Sequence, residues 1–328
     1  MYIYIILSLF ILSSYFNNNF WKKLNFPSNV SISSLIITDS NIIFAATPKG
    51  IYLSKDKGFT WQISNNGLEC LDVRDFAIGK NNNIYAGTTE GIYKSTNSGQ
   101  TWELLGFKNK YISCIKINSK GVIYICGPFV QICFSSNNGK TWEKPTLGLK
   151  ESAGKFKDYD IYSIEIKSDS IIFAGANTIN PFSVPGIFRS TDYGRTWKQT
   201  NNGLKSKEID CLGVSPKGNV YVGAGQVFDG DINGIYMSTD NGDNWKQVYV
   251  MDCRECYPNT LNTNSSQSVF LGSMGFGIVY SNDNGTSWKN FNGDKIIRIV
   301  TSIVKDSDNY VYIGTLQDGL FRSVIPYK

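Results

Sequence analysis

The chain contains no histidine. That removes the Ser-His-Asp triad, the Cys-His pair, histidine general bases and His-ligated zinc together. Carboxylates, arginines, cysteines and bound cations remain. Two carboxyl groups can cleave a glycosidic bond when they face each other at ~5–10 Å. Asp75 or Asp210, each with an acid from a loop, could form such a pair. Arg74, Arg254 and Arg298 are the arginines outside the recurring motifs below. The leading expectation is no catalytic set; Asp75, Asp210, Arg74 and Arg298 are the residues hydrolysis would need.

Bound cations and thiols offer less. Asp229-Gly-Asp231-Ile-Asn233-Gly234…Asp240 has the spacing of a calcium loop, with Asp for the terminal Glu. Asp229, Asp231 and Asn233 are therefore candidate calcium ligands; no other cofactor is expected. Against them, Gly234-Ile-Tyr236 and Asp240 belong to motifs that recur along the chain. There are seven cysteines, an odd count. Cys126 and Cys133 flank one hairpin and are a candidate pair. Cys253-Arg-Glu-Cys256 lacks the four ligands of structural zinc, and a local disulfide or free thiols suit it better.

Those motifs decide the fold. Ser-x-Asp/Asn-x-Gly-x-x-Trp begins at Ser54, Ser95, Ser135, Ser190, Ser238 and Ser281. The spacing, mostly 40–48 residues with one of 55, is the size of one four-stranded propeller blade. Before each box lies a second unit, such as IYAGTTEGIY at Ile84–Tyr93, with seven copies in all. Upstream of that lies another apolar stretch, such as Ile161–Ile166 and Ile209–Val214. One repeat thus reads as a four-stranded antiparallel meander, with the box as the turn between strands three and four. The box residues Asp56, Asn97, Asn137, Asp192, Asp240 and Asp283 can bond their own turn. Trp61, Trp102, Trp142, Trp197, Trp245 and Trp288 open the outer strands and can pack between blades. The seventh tryptophan, Trp21, heads Trp21-Lys-Lys-Leu24-Asn-Phe26, which resembles Trp102-Glu-Leu-Leu105-Gly-Phe107. The last repeat has no box. An all-β, seven-bladed propeller follows, its ring closed by an N-terminal strand that leaves no open edge.

These boxes resemble the Asp-box, or bacterial neuraminidase repeat. The resemblance runs from Trp21 to about Phe321 and implies an Asp-box β-propeller. Its families include sialidases, xyloglucan-cleaving glycosidases and the single-propeller photosystem II assembly factors. The sialidase set does not carry over: the region before the first box, Phe26-Pro-Ser-Asn-Val-Ser-Ile-Ser, has no arginine. Length and blade number suit the single-propeller families best.

Residues 1–16 form an apolar run that reads as a signal peptide or N-terminal anchor, with the propeller over 17–328. A secreted, periplasmic or cell-surface protein is expected. It would be a monomer, touching a membrane only through an uncleaved N-terminus. Net charge +5 without basic clusters argues against nucleic acid. The long loops of blades four and five suggest a binding face for a glycan or protein. Its candidate residues are Phe156, Tyr159, Phe182, Phe228, Asp231 and Arg254.

Overall fold

The computed structural model describes residues 20–27, 30–128, 130–149, 159–178, 185–225, 233–251, 256–263, 267–293 and 297–327. Within them the chain forms seven antiparallel sheets in a seven-bladed propeller, six of them made from consecutive strands and the seventh joining the first strand to the last three. The innermost strands are Ser34–Ile37, Val73–Ile78, Cys114–Ile117, Tyr159–Ile166, Ile209–Val214, Tyr257–Thr263 and Val300–Lys305. Second strands such as Ile43–Thr47, Ile84–Thr88 and Ile123–Gly127 are buried along their whole length. That explains their unbroken apolar runs: a blade interior is covered on both faces.

Neighbouring blades also approach closely over the glycine of the second strand. A Cβ on Gly175 would lie 2.4 Å from Ser163 Oγ and 2.5 Å from the Ile209 side chain of the next blade. Only a residue without a Cβ lets the two sheets meet there.

Each box is the hairpin between strands three and four. In the first, Gly58 N–H donates to Ser54 Oγ at 2.8 Å, and Ser54 Oγ–H donates to Asp56 Oδ1 at 2.8 Å. Asp56 also accepts from the Thr60 amide and hydroxyl, at 2.8 and 2.6 Å. Gly58 has φ +86° and the residue before it, Lys57, has φ +59°. The turn therefore needs two left-handed residues in a row.

Five of the six box tryptophans hydrogen-bond in one of two ways, while Trp142 Nε1 is buried without a partner. Trp102 and Trp245 donate backward to the preceding blade, to Ser64 O at 2.8 Å and Thr200 O at 2.7 Å. Trp61, Trp197 and Trp288 bond the glycine carbonyl of their own turn. Trp21 makes the backward bond, to Phe291 O at 2.8 Å, and is 1% exposed. Its strand, Trp21–Lys23, pairs with Leu320–Ser323 and supplies the outer strand of blade seven. The expected closure is present. Phe26 meets Trp61 edge-on at 4.9 Å, as Phe107 meets Trp142 at 5.1 Å. The third blade is frayed outside: its fourth strand is reduced to one bridge, Phe134 to Glu143.

The expected Cys126–Cys133 pair is absent; both thiols are free and buried. Cys126 lies opposite Ile132 and Cys133 opposite Ile125, so their side chains leave the sheet on opposite faces. Cys70, Cys114 and Cys211 are also free. Cys256 is disulfide-bonded, and Cys253 lies outside the described residues.

Candidate functional site at the channel mouth

Strand alternation places the box turns and first hairpins at one end of the blades. The hairpins between strands two and three, and the linkers between blades, sit at the other end. The innermost strands enter the channel from that second end.

At that end the strands are irregular in a repeated way. The pairing of strands one and two slips by one residue at Arg74, Tyr162, Asp210, Asn259 and Thr301. A bulge leaves its extra residue unpaired and re-aims the side chain. All five line one cavity of about 320 Å³ in the channel. Ser33 and Ser113 complete the collar from blades one and three. Below it lies a second polar ring: Ser34, Asp75, Cys114, Ser163, Cys211, Thr260 and Ser302. At the far end of the channel Lys116, Lys305 and Asn262 sit among aliphatic side chains around about 370 Å³.

Most charges in the channel already have partners. Arg74 donates to Asp72 at 2.7 Å and lies over the Tyr111 ring at 5.5 Å. Lys116 pairs with Glu165 at 3.0 Å, and that carboxylate holds its ammonium well above the usual lysine range. Asp75 accepts from the Ser34 hydroxyl and the Ile115 amide, both at 2.9 Å. It thereby ties blades one, two and three together. Burial pushes its carboxyl up, opposed by the charge of Lys116.

Asp210 differs. Its Oδ1 accepts from Asn177 Nδ2 at 3.0 Å, while Oδ2 is buried without a partner. Burial pushes the carboxyl up to about 8; the Asn177 hydrogen bond opposes this, and Glu208 adds to it. Ser163 Oγ, on the neighbouring blade, is also buried and unpartnered. Tyr162, next to Ser163 on the same strand, lines the same cavity and is 38% exposed.

The fold therefore brings Arg74, Asp75 and Asp210 into one cavity. Arg298 stands apart, exposed on the linker into blade seven, where its carbonyl accepts from Gly275. Tyr159, a candidate for the binding face, is half-buried and stacks on Phe188 at 5.3 Å. Phe156, Phe182, Phe228, Asp229, Asp231 and Arg254 lie outside the described residues. Asn233 is buried and donates to Cys256 O at 3.2 Å. The strand Gly234–Ser238 separates it from Asp240, whose oxygens serve the box turn. Among the described residues no cluster of three or more Cys, Asp or Glu could hold a metal ion. Tyr162, Ser163, Asn259 and Thr301 escaped the sequence reading as site residues. Their signal is positional: the innermost-strand serines and cysteines form a column, and the collar is that column's upstream neighbour.

No protein-family model and no curated protein matches the sequence. Solved structures do match in fold. The extracellular domain of a putative one-component system, BT4673 of B. thetaiotaomicron, superposes with TM-score 0.73 at 14% identity, over 94% of this chain and 40% of that one. YCF48 bound to D1 peptide matches with TM-score 0.71 at 18% identity, over 94% of this chain and 98% of that one. The GH74 xyloglucanase of Xanthomonas campestris matches with TM-score 0.70 at 14% identity, over 92% and 53%. This chain thus spans about two fifths of the first neighbour and nearly all of the second. At these identities the likeness carries the propeller fold and nothing finer. Among the described residues no helix is long and apolar enough to cross a membrane.

Proposed function

We propose that the protein is a secreted, non-enzymatic propeller of the Asp-box kind, binding a glycan or a protein on the face where the collar opens. The state of Asp75 carries this reading. A retaining or inverting glycosidase needs two carboxyl groups free to meet the sugar. Asp75 instead gives both oxygens to bonds between blades. Loops on a rigid frame suit binding, and the polar collar lies at their centre. Two neighbours frame the alternatives. The xyloglucanase speaks for hydrolysis. YCF48, a chain of matching length with a bound peptide, speaks for a protein partner and an assembly role.

Glycan and peptide arrays, run beside a turnover assay on 4-methylumbelliferyl sialoside and on xyloglucan, test the reading. Binding without turnover is expected. Replacing Phe182, Phe228 and Asp231 together by serine or alanine should weaken the array signal and leave the melting temperature unchanged. Turnover lost on replacing Asp75 or Asp210 would overturn it.

A further inference from the structure

The collar has chemistry that the general binding reading leaves open. In the sector between blades four and five, two buried polar atoms lack partners: Asp210 Oδ2 and Ser163 Oγ. Both residues line the same cavity, with Tyr162 at its rim. A buried polar atom without a partner is destabilising, so a ligand that supplies the missing bonds gains from a cost already met by the fold.

The charge pattern narrows the ligand. Arg74 is held by Asp72 and Lys116 by Glu165. Arg74 keeps one donor, Nε, unpartnered, but each cation has a carboxylate beside it that offsets its charge. Asp210, its carboxyl raised by burial, keeps its proton at neutral pH and acts as a hydrogen-bond donor as well as an acceptor. The sector is therefore polar and uncharged. Adjacent sugar hydroxyls each donate and accept, which matches a neutral carboxyl beside a serine. The exposed Tyr162 ring offers an apolar face with a polar edge, suited to the C–H face of a pyranose. A cavity of about 320 Å³ falls at the small end of ligand sites and suits the tip of a chain rather than its middle.

We propose that the channel mouth between blades four and five holds the end of a neutral glycan, with Asp210 and Ser163 bonding its hydroxyls and Tyr162 stacking on the ring. The assignment rests on the binding reading above and narrows its ligand.

The test uses the full chain on an array of neutral hexose, pentose and N-acetylhexosamine oligosaccharides, with sialylated and sulfated oligosaccharides as the acidic set. Neutral glycans should be retained and acidic ones not. Titration calorimetry with the strongest neutral oligosaccharide should then show a tenfold or greater loss for Asp210→Ala and for Tyr162→Ala. Asp210→Asn keeps a neutral donor and acceptor and should bind within threefold of wild type. If Asp210→Ala does not fold, Tyr162→Ala and Ser163→Ala decide the matter, with melting temperatures as the control. Retention of acidic glycans alone, or equal binding by the variants, overturns the site. A wild type that ignores all glycans overturns it too. In that case the wider reading stands if the same chain binds a peptide array, and falls if it binds neither.

Discussion

Asp210 is a carboxylic acid held where water is scarce, and its proton makes the residue measurable. In the unfolded chain it titrates near ~3.9. In the fold burial raises it to about 8. Between those values the folded chain holds a proton that the unfolded chain has lost, so the group's contribution falls as pH rises from about 4 and reaches its minimum above about 8. Asp210→Asn has no such dependence. Its stability relative to wild type should improve by on the order of 1–3 kcal/mol between pH 5 and pH 9, a range discounted for water in the channel. Urea midpoints at the two pH values check this, and an unchanged gap would mean the carboxyl ionises freely. A second residue-scale test concerns backbone. Ser98 is exposed with φ +56°, where Asn138, Asn241 and Asn284 stand in other boxes. Asn tolerates the left-handed region better than Ser. Ser98→Asn should stabilise the chain by about 0.5 kcal/mol, read as a small rise in melting temperature.

At the scale of the strand and turn, the box was legible and the bulge was not. Serine, Asp or Asn, and glycine at fixed spacing before a tryptophan spell a hairpin, because the first three bond one another within the turn. A bulge leaves no such signature. It lies where a neighbouring blade crowds over a glycine such as Gly175, and its extra residue varies freely: Arg74, Tyr162, Asp210, Asn259, Thr301. The catalytic candidates Asp75 and Asp210 were visible as acids on inner strands, but only the contacts separate a blade staple from an unsatisfied carboxyl. The boxes yield their own prediction. Asp283 feels burial, yet hydrogen bonds from Ser287 and Ser281 hold its carboxyl down at about 2. A depressed value contributes stability above about 4 that is lost as pH falls through 2. Asn97 and Asn137 show that an amide fits the same turn, accepting from Thr101 and Thr141 N–H at 3.0 and 2.9 Å. Asp283→Asn should thus fold normally at pH 7 and lose less stability than wild type between pH 4 and 2. Asp283→Ala, which leaves Ser287 and Ser281 without their acceptor, should cost about 1–2 kcal/mol at pH 7. Denaturant titrations across pH distinguish the three chains.

For the whole molecule, the ring depends on one short strand from the far end of the chain. The sequence made this readable through an imbalance: seven copies of the inner motif, six boxes, and a seventh tryptophan at Trp21 ahead of them. The structure gives that tryptophan the same backward hydrogen bond as Trp102 and Trp245, and backbone pairing continues it, with Leu24 N–H donating to Leu320 O at 2.9 Å. Without residues 21–26, blade seven would present the bare edge of Leu320–Ser323 and an empty place beside Phe291 and Phe270. Losing a buried tryptophan alone costs about 3–5 kcal/mol, and losing its strand adds to that. A chain beginning at Pro27 should therefore melt well below one beginning at Asn17, and the freed edge should make it aggregate. Adding a peptide of residues 17–27 should restore the melting temperature in proportion to its concentration, since only the folded ring binds it. Equal melting of the two chains would show that blade seven stands on three strands. A lower melting temperature that the peptide does not restore would mean that the deletion acts somewhere other than at the closing strand.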